Sequence, residues 1–405
     1  TPNLLGVELS GEQIINQEIT ETEDITETED ITTLEEAVVD ETLDVVDDKS
    51  ENIVEINNLV INEEPQNINQ ITEEKSGEIP DLTATATTDN SAMETTETAE
   101  AIGLVDDRAS RETQELFIYL KEKMASKDVL FGQQHATDEG ATLLEDSSRV
   151  GSTDSEVKNA VGDYPAVFGW DTLSIDGYER PGVEGDIEAS IRNTVTSMKT
   201  AHDLGSIIVL SMHPHNFVTG GTFNDISGDV VNNILPGGEY NDKFNNWLDN
   251  IANVADQLKD DEGNSIPIIF RPFHEQNGSW FWWGASTTNT EQYTALYRYT
   301  VEYLRDNKEV NNILYAYSPN SSIQGDKESY LKTYPGDNYV DILGIDTYDN
   351  KQNAGSETFL NGMIKDLDMI VSLAQEKNKI AALTEFGYSP QGFNETGNTL
   401  DWYTK

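Results

Sequence analysis

Short apolar runs of strand length recur along the chain from Val129 onward, and each closes on polar or ionisable residues. They are Val129–His135, Pro165–Asp171, Ser206–His213, Ile268–Glu275, Asn312–Ser318, Val340–Tyr348 and Ile380–Phe386. Between them lie stretches with apolar positions at helical spacing: Ile187–Leu204, Phe244–Leu258, Thr290–Arg305 and Phe359–Lys377. A further helix over Thr113–Met124, carrying Leu116, Phe117, Leu120 and Met124, precedes the first run. Strand and helix thus alternate seven times, which predicts parallel strands joined by right-handed crossovers. Polar residues gather at the end of every run. That favours a (β/α)8 TIM barrel over a doubly wound open sheet, because a barrel builds its site from the C-terminal ends of its strands. After Glu385 only twenty residues remain, with a turn but no further apolar run, so the barrel is expected to lack its eighth strand in this chain.

Residues 1–105 read differently. The segment holds the short repeat Glu21-Thr22-Glu23-Asp24-Ile25-Thr26-Glu27-Thr28-Glu29-Asp30, no aromatic residue, and Lys only at 49 and 75. About half of the formal net charge of -50 falls here, too dense to collapse around a core. The expectation is a disordered acidic linker or tail over 1–105, with one folded domain over 106–405.

The charge changes the range of partners. A chain with net charge -50 and pI near 4.1 offers no basic surface to phosphates, which argues against nucleic acid and anionic membranes. No apolar run approaches the roughly 18 residues of a membrane helix. Zero Cys excludes disulfides and thiolate metal sites. The chain opens Thr1-Pro2-Asn3, without Met and without a basic signal region, so it reads as a mature or clipped form, compatible with export. It is expected to act as a monomer.

The fourth run carries the candidate chemistry: Arg271-Pro272-Phe273-His274-Glu275, then a loop with Trp280, Trp282 and Trp283. By strand alternation Arg271, Phe273 and Glu275 are expected on one side. Indole faces stack on the C–H faces of pyranose rings, and glycosidic bonds are cleaved by paired carboxylates. Glu385 ends the seventh run, and a barrel would bring it opposite Glu275, with Arg271 supplying either positive charge to it or an internal salt bridge. Four of the five His, at 135, 213, 215 and 274, lie at or just past predicted strand ends, with Asp171 and Tyr348 at two others. A metal held by His213, His215 and a carboxylate is the rival reading of His-Pro-His; no third ligand stands at a suitable spacing, so neither metal nor cofactor is expected.

With these residues assembled, the chain resembles family 26 of the glycoside hydrolases, the β-mannanase family of a large clan of retaining barrels. Arg271–Glu275 with Asn277-Gly278 and Trp280–Gly284 is similar to that family's acid/base strand and loop, and Thr384-Glu385-Phe386-Gly387 to its nucleophile strand. Leu343–Tyr348 resembles the sixth strand, and Phe131–His135, Gly169–Asp171 and Met212–Pro214 the first three strand ends. The resemblance covers about residues 106–405.

It implies Glu275 as general acid/base and Glu385 as nucleophile. His274 stands where the clan commonly has Asn and would help fix the nucleophile's side of the site; Tyr348 would orient Glu385. His213 and Trp280 would contact the sugar at the cleavage point, with His135 and Asp171 also in the substrate site. The implied activity is endo-hydrolysis of β-1,4-mannan with retention by a secreted enzyme, with β-1,3-xylan or mixed-linkage β-glucan as the alternative substrates. A non-catalytic sugar-binding barrel would have one of the two carboxylates replaced, and both are present. A purely structural acidic protein would account for the tail but not for the strand ends.

Overall fold

The computed structural model describes residues 102–140, 143, 149–321, 323–349 and 356–388. Seven parallel strands pair in chain order, β1 (Gly132–Gln134), β2 (Val167–Asp171), β3 (Ile207–Ser211), β4 (Ile268–Arg271), β5 (Ile313–Tyr317), β6 (Ile342–Asp349) and β7 (Ile380–Tyr388). The helices in chain order are α1 (Arg111–Ser126), α2 (Glu156–Val161), α3 (Thr172–Asp176), α4 (Ile187–Asp203), α5 (Val230–Ile234), α6 (Asn241–Gln257), α7 (Thr290–Glu302), α8 (Lys327–Leu331) and α9 (Glu357–Lys377). Strand order that follows chain order, with a helix between every pair of consecutive strands, makes this the wall of a (β/α) barrel. Among the described residues β1 and β7 each pair on one side only. The expectation of a missing eighth strand concerns residues after Tyr388, which lie outside the described set, as does the acidic segment up to Ala101. Ile102 and Val105 are buried, so packing begins ahead of Asp106.

The helices form where the pattern calls for them. In α6, Phe244, Trp247, Leu248, Ile251 and Val254–Ala255 repeat at three- and four-residue intervals and are buried in the main hydrophobic core. Helix α7 starts on a capping box: the Asn289 side chain accepts from Gln292 N, and the Gln292 side chain accepts from Asn289 N. It ends as an α-helix at Glu302 and continues as a π-turn over Tyr303–Asn307, shorter than the sequence pattern indicated. Helices α1, α4, α6 and α9 match their predicted spans within a few residues, whereas the short helices α2, α3, α5 and α8, of five or six residues each, are not predicted by the sequence pattern.

Two backbone irregularities shape the barrel mouth. On β7, Leu383 pairs with Ile345 and Glu385 with Asp346, so Thr384 is an extra residue bulged out of the ladder. On β4, strand geometry stops at Arg271, and Phe273 and Glu275 adopt left-handed conformations with φ of 48° and 53°. The alternation argument therefore fails beyond Arg271. Phe273 does not join Arg271 and Glu275; it packs among Phe244, Trp282 and Trp283, with ring centroids 5.8–6.4 Å apart. No described helix is long and apolar enough to cross a membrane.

Candidate active site

Left-handed backbone at a residue with a Cβ costs about 1–3 kcal/mol, so neighbours must hold the turn after β4 in place. Tyr293 of α7 donates its hydroxyl to the Phe273 carbonyl at 2.9 Å, and the Trp283 indole donates to the His274 carbonyl at 2.8 Å. Glu275 N donates to Ser318 O at 2.8 Å, just past β5. These bonds hold the turn that carries Glu275.

The carboxyl is buried and doubly held. Asn320 Nδ2 donates to Oε1 at 2.7 Å and Trp280 Nε1 donates to Oε2 at 2.9 Å. Burial raises its pKa, and the negative charge of Glu385 raises it further, against the pull of those two donors and Arg271. Trp280 lies over Gly278 so closely that a Cβ there would stand 2.5 Å from the indole ring. Trp280 is 41% exposed, whereas Trp282 and Trp283 are buried.

Glu385 comes from the bulged strand. Tyr348 donates its hydroxyl to Oε2 at 2.8 Å, and Arg271 Nη2 makes a very close contact with Oε1. The other arm of the guanidinium, Nη1, donates to Asp346 Oδ2 at 2.8 Å and to Ser318 Oγ at 3.3 Å. Asp346 also accepts from Thr384 Oγ1 at 2.6 Å, so the bulge residue braces the acid that braces the arginine. Burial pushes the Asp346 pKa well up against the pull of Arg271, and the charges of Glu385 and Glu275 act in the same direction as burial. One oxygen from each of Glu275, Asp346 and Glu385 lies within 4.8 Å of the other two. Three such oxygens are a possible cation site, and the Arg271 guanidinium already pairs with two of the three carboxyls, those of Asp346 and Glu385.

Three of the histidines occupy different surroundings. His274 is buried, and burial first, then Arg271 and His213, hold its pKa well below the usual range, so it is a neutral imidazole. Its 3.7 Å approach to Glu385 Oε1 is consequently not an ion pair. His213 stands edge-on to His274 with centroids 4.5 Å apart, and its Nδ1 is 2.8 Å from Asp171 Oδ2. Burial works to raise the Asp171 pKa, but His213, the Ser211 hydroxyl and Leu173 N outweigh it and bring the value to about 2. His135 follows β1 directly, with its Nε2 3.0 Å from Glu179 Oε2, and this partner overcomes burial to raise its pKa to about 9.

Glu275, Glu385, His274, Tyr348 and Trp280 are therefore joined in one cluster, with His213 and Asp171 against its flank. His135 belongs to a separate pair with Glu179. His213 turns its Nδ1 to Asp171, while His215 packs on Phe217 at 4.4 Å; among the described residues the group at metal-binding distance is Glu275, Asp346 and Glu385, which includes neither histidine. Sequence reasoning did not single out Asn320, Asp346, Ser318 or Glu179. Asp346 carried a usable signal, an acid inside the apolar run Leu343-Gly344-Ile345; Asn320 carried a weaker one, an amide just past a strand end.

A family model described as glycosyl hydrolase family 26 matches residues 105–403. A mannan endo-1,4-beta-mannosidase from Bifidobacterium adolescentis is 45% identical over 300 residues, which are 73% of this chain and 29% of that protein. The chain thus spans under a third of the length of that curated relative. Among solved structures, the catalytic domain of a GH26 endo-beta-1,4-mannanase from Bacillus sp. JAMB-750 superposes with a TM-score of 0.72 at 64% identity, covering 74% of this chain and 77% of that one. A modular endo-beta-1,4-mannanase from Cellulomonas fimi superposes with a TM-score of 0.70 at 46% identity, over 75% of this chain and 65% of that one.

Proposed function

The chain belongs to glycosyl hydrolase family 26, and from that premise we propose that it cleaves internal β-1,4-mannosidic bonds of mannan-type polysaccharides with retention at the anomeric carbon. The observation that carries the chemistry is the short separation of the Glu275 and Glu385 carboxyls, whose nearest oxygens fall within 4.8 Å. Retaining glycosidases hold their two carboxyl groups about 5–5.5 Å apart, whereas inverting enzymes need room for a water between them.

Glu385 is the nucleophile. Its oxygen attacks the anomeric carbon while the bond to the leaving oxygen breaks, and Glu275 delivers its proton to that oxygen. The raised pKa of Glu275 keeps that proton available, and hydrogen bonds from Arg271 and Tyr348 to its two oxygens hold the Glu385 carboxyl in place for attack. In the second step Glu275, now a carboxylate, takes a proton from water, and the hydroxide oxygen displaces Glu385 from the sugar. Trp280, fixed by its bond to Glu275, presents its open face to the sugar ring. His213, His274, Asp171, Tyr348 and His135 complete the substrate side. A polymeric substrate puts this reaction outside the cell, with residues 106–405 as the catalytic domain and 1–105 as an acidic linker or tail.

Product analysis on mannan, β-1,3-xylan and mixed-linkage β-glucan tests the substrate, and proton NMR of the first-formed anomer tests the stereochemistry. Mannooligosaccharides appearing first as the β-anomer are expected. Turnover of xylan or glucan with mannan untouched overturns the substrate, and a first-formed α-anomer overturns the mechanism.

A further inference from the structure

Behind Asp171 and His213 lies a second concavity that the reaction does not use. Helix α3 begins on the Asp171 cap and ends at Asp176, and His215 follows two residues after His213. With Lys243, Trp247 and Asn250 of α6, and with Tyr178, these two residues line a surface cavity of about 270 Å³. Trp247 donates its indole N–H to both oxygens of Asp176, at 2.9 and 3.0 Å, fixing the carboxyl at the cavity wall. Tyr178 leaves 61% of its surface exposed. Neither imidazole nitrogen of His215, nor the Asn250 amide, nor the Tyr178 hydroxyl has a hydrogen-bond partner among the described residues. Lys243 turns its ammonium partly away, donating to the Phe217 carbonyl at 3.1 Å.

We propose that this cavity is a second sugar-binding site, separate from the cleavage centre, that takes a single neutral pyranose unit. Its volume falls just under the roughly 300 Å³ at which drug-sized pockets begin, which suits one ring rather than a chain segment. The charges oppose one another: Asp176 disfavours an anion and Lys243 disfavours a cation, which leaves a neutral ligand rich in hydroxyls. Burial pushes the Asp176 pKa to about 7, and burial followed by Lys243 lowers His215 to about 4. Near neutral pH the wall therefore offers an uncharged imidazole, an amide and a carboxyl that can donate or accept, the mixture that pyranose hydroxyls need. The Tyr178 ring supplies an open aromatic face beside them, for the C–H face of the sugar. The choice of a sugar over other neutral polyols rests on the carbohydrate activity proposed above. The unit comes either as a free hexose or as a side branch of the polymer.

The test uses the full chain carrying Glu275→Gln, so that no substrate turns over, and follows the His215 imidazole resonance by NMR. His215→Asn assigns that resonance. Mannose, galactose, a linear mannan oligosaccharide and a galactose-branched one are each titrated. A saturable shift is expected with at least one of them, weakened about tenfold or more in Tyr178→Ala, in line with the loss of one stacking contact, and unchanged by Trp280→Ala. Saturation at lower concentration by the branched oligosaccharide than by either hexose assigns the ligand as a branch; the reverse order assigns it as free sugar. No movement of the His215 resonance with any of the four, or the same titration in Tyr178→Ala, overturns the proposal. Mannan hydrolysis by the unmodified chain is scored separately: its failure beside an intact His215 titration retracts the proposed activity and leaves the second site, and the opposite result does the reverse.

Discussion

Arg271 and Glu385 meet across the barrel mouth, Nη2 of one against Oε1 of the other, while Nη1 of the same guanidinium is committed to Asp346. A planar fork is needed for that bridge, and a lysine ammonium offers a single point charge instead. Arg271→Lys should therefore keep one of the two contacts and lose the other. We expect kcat to fall on the order of 100-fold, by analogy with removing one preorganised donor from an active site, with KM changed little. Arg271→Met removes both contacts and leaves buried carboxylates facing each other, and breaking such a buried pair costs about 3–5 kcal/mol of stability. Steady-state kinetics beside urea unfolding separate the two effects. A lysine variant with full kcat would show that the bridge is structural only.

Glu275→Gln and Glu385→Gln should both abolish turnover of polymeric mannan with the fold intact. They part on a substrate with a good leaving group, which needs no acid in the first step. Glycosyl-enzyme should then accumulate in the Glu275 variant and not in the Glu385 variant. Mass spectrometry locating the adduct on any residue other than Glu385 removes it as nucleophile.

The periodicity of the chain carried the barrel, because each strand from β2 onward begins and ends within a few residues of its apolar run. The carboxylates at 275 and 385 stood out for the same reason, as charges closing apolar runs. What periodicity could not carry is the backbone beyond Arg271. Alternation assumes an extended chain, and two left-handed residues within three positions break that assumption. Asn320 was illegible for another reason: it reaches Glu275 from a neighbouring strand end, 45 positions away, and an amide past a strand end has no distinctive pattern.

Trp280 and its two neighbours should respond differently to truncation. Trp282 and Trp283 are buried and donate to the Pro214 and His274 carbonyls, so each change to Ala should cost about 3–5 kcal/mol of stability. Trp280→Ala should leave the melting temperature within a few degrees and raise KM about tenfold or more. Gly278→Ala should reproduce much of the Trp280→Ala effect, since the new methyl would stand 2.5 Å from the indole and displace it. A Gly278→Ala enzyme with normal KM would mean that the indole's resting position is irrelevant to binding.

The pairing of Asp171 with His213 makes a prediction about acid. Asp171 is held at about 2, below its ordinary 3.8, so the folded state binds its proton less readily than the unfolded chain does. Its contribution, on the order of 2 kcal/mol, is present above the unfolded value and is lost as pH falls from about 4 toward 2. Asp171→Asn should flatten the stability profile in that window and lower stability at neutral pH. An unchanged profile would mean that the pair contributes nothing net.

Glu275 titrates in the opposite sense. Its pKa is raised in the folded protein, by burial and then by Glu385, so the folded state holds this proton more tightly than the unfolded chain does. The stability tied to it is present below the unfolded pKa and falls as pH rises through the folded one. Activity follows the same proton: the acid must be protonated, so the alkaline limb of kcat/KM should lie above the ordinary carboxylate value of 4.5. Asn320 donates to the carboxylate and thereby favours its charged form. Removing that donor in Asn320→Ala should move the alkaline limb to higher pH still, while a change at Trp280 that keeps the ring but not the N–H, Trp280→Phe, should move it the same way. Both shifts should also appear in a carbon-13 titration of the Glu275 carboxyl, which requires no turnover. If Asn320→Ala moves the limb toward acid, Asn320 is not setting the ionisation of Glu275 through its hydrogen bond, and the acid assignment loses its electrostatic support.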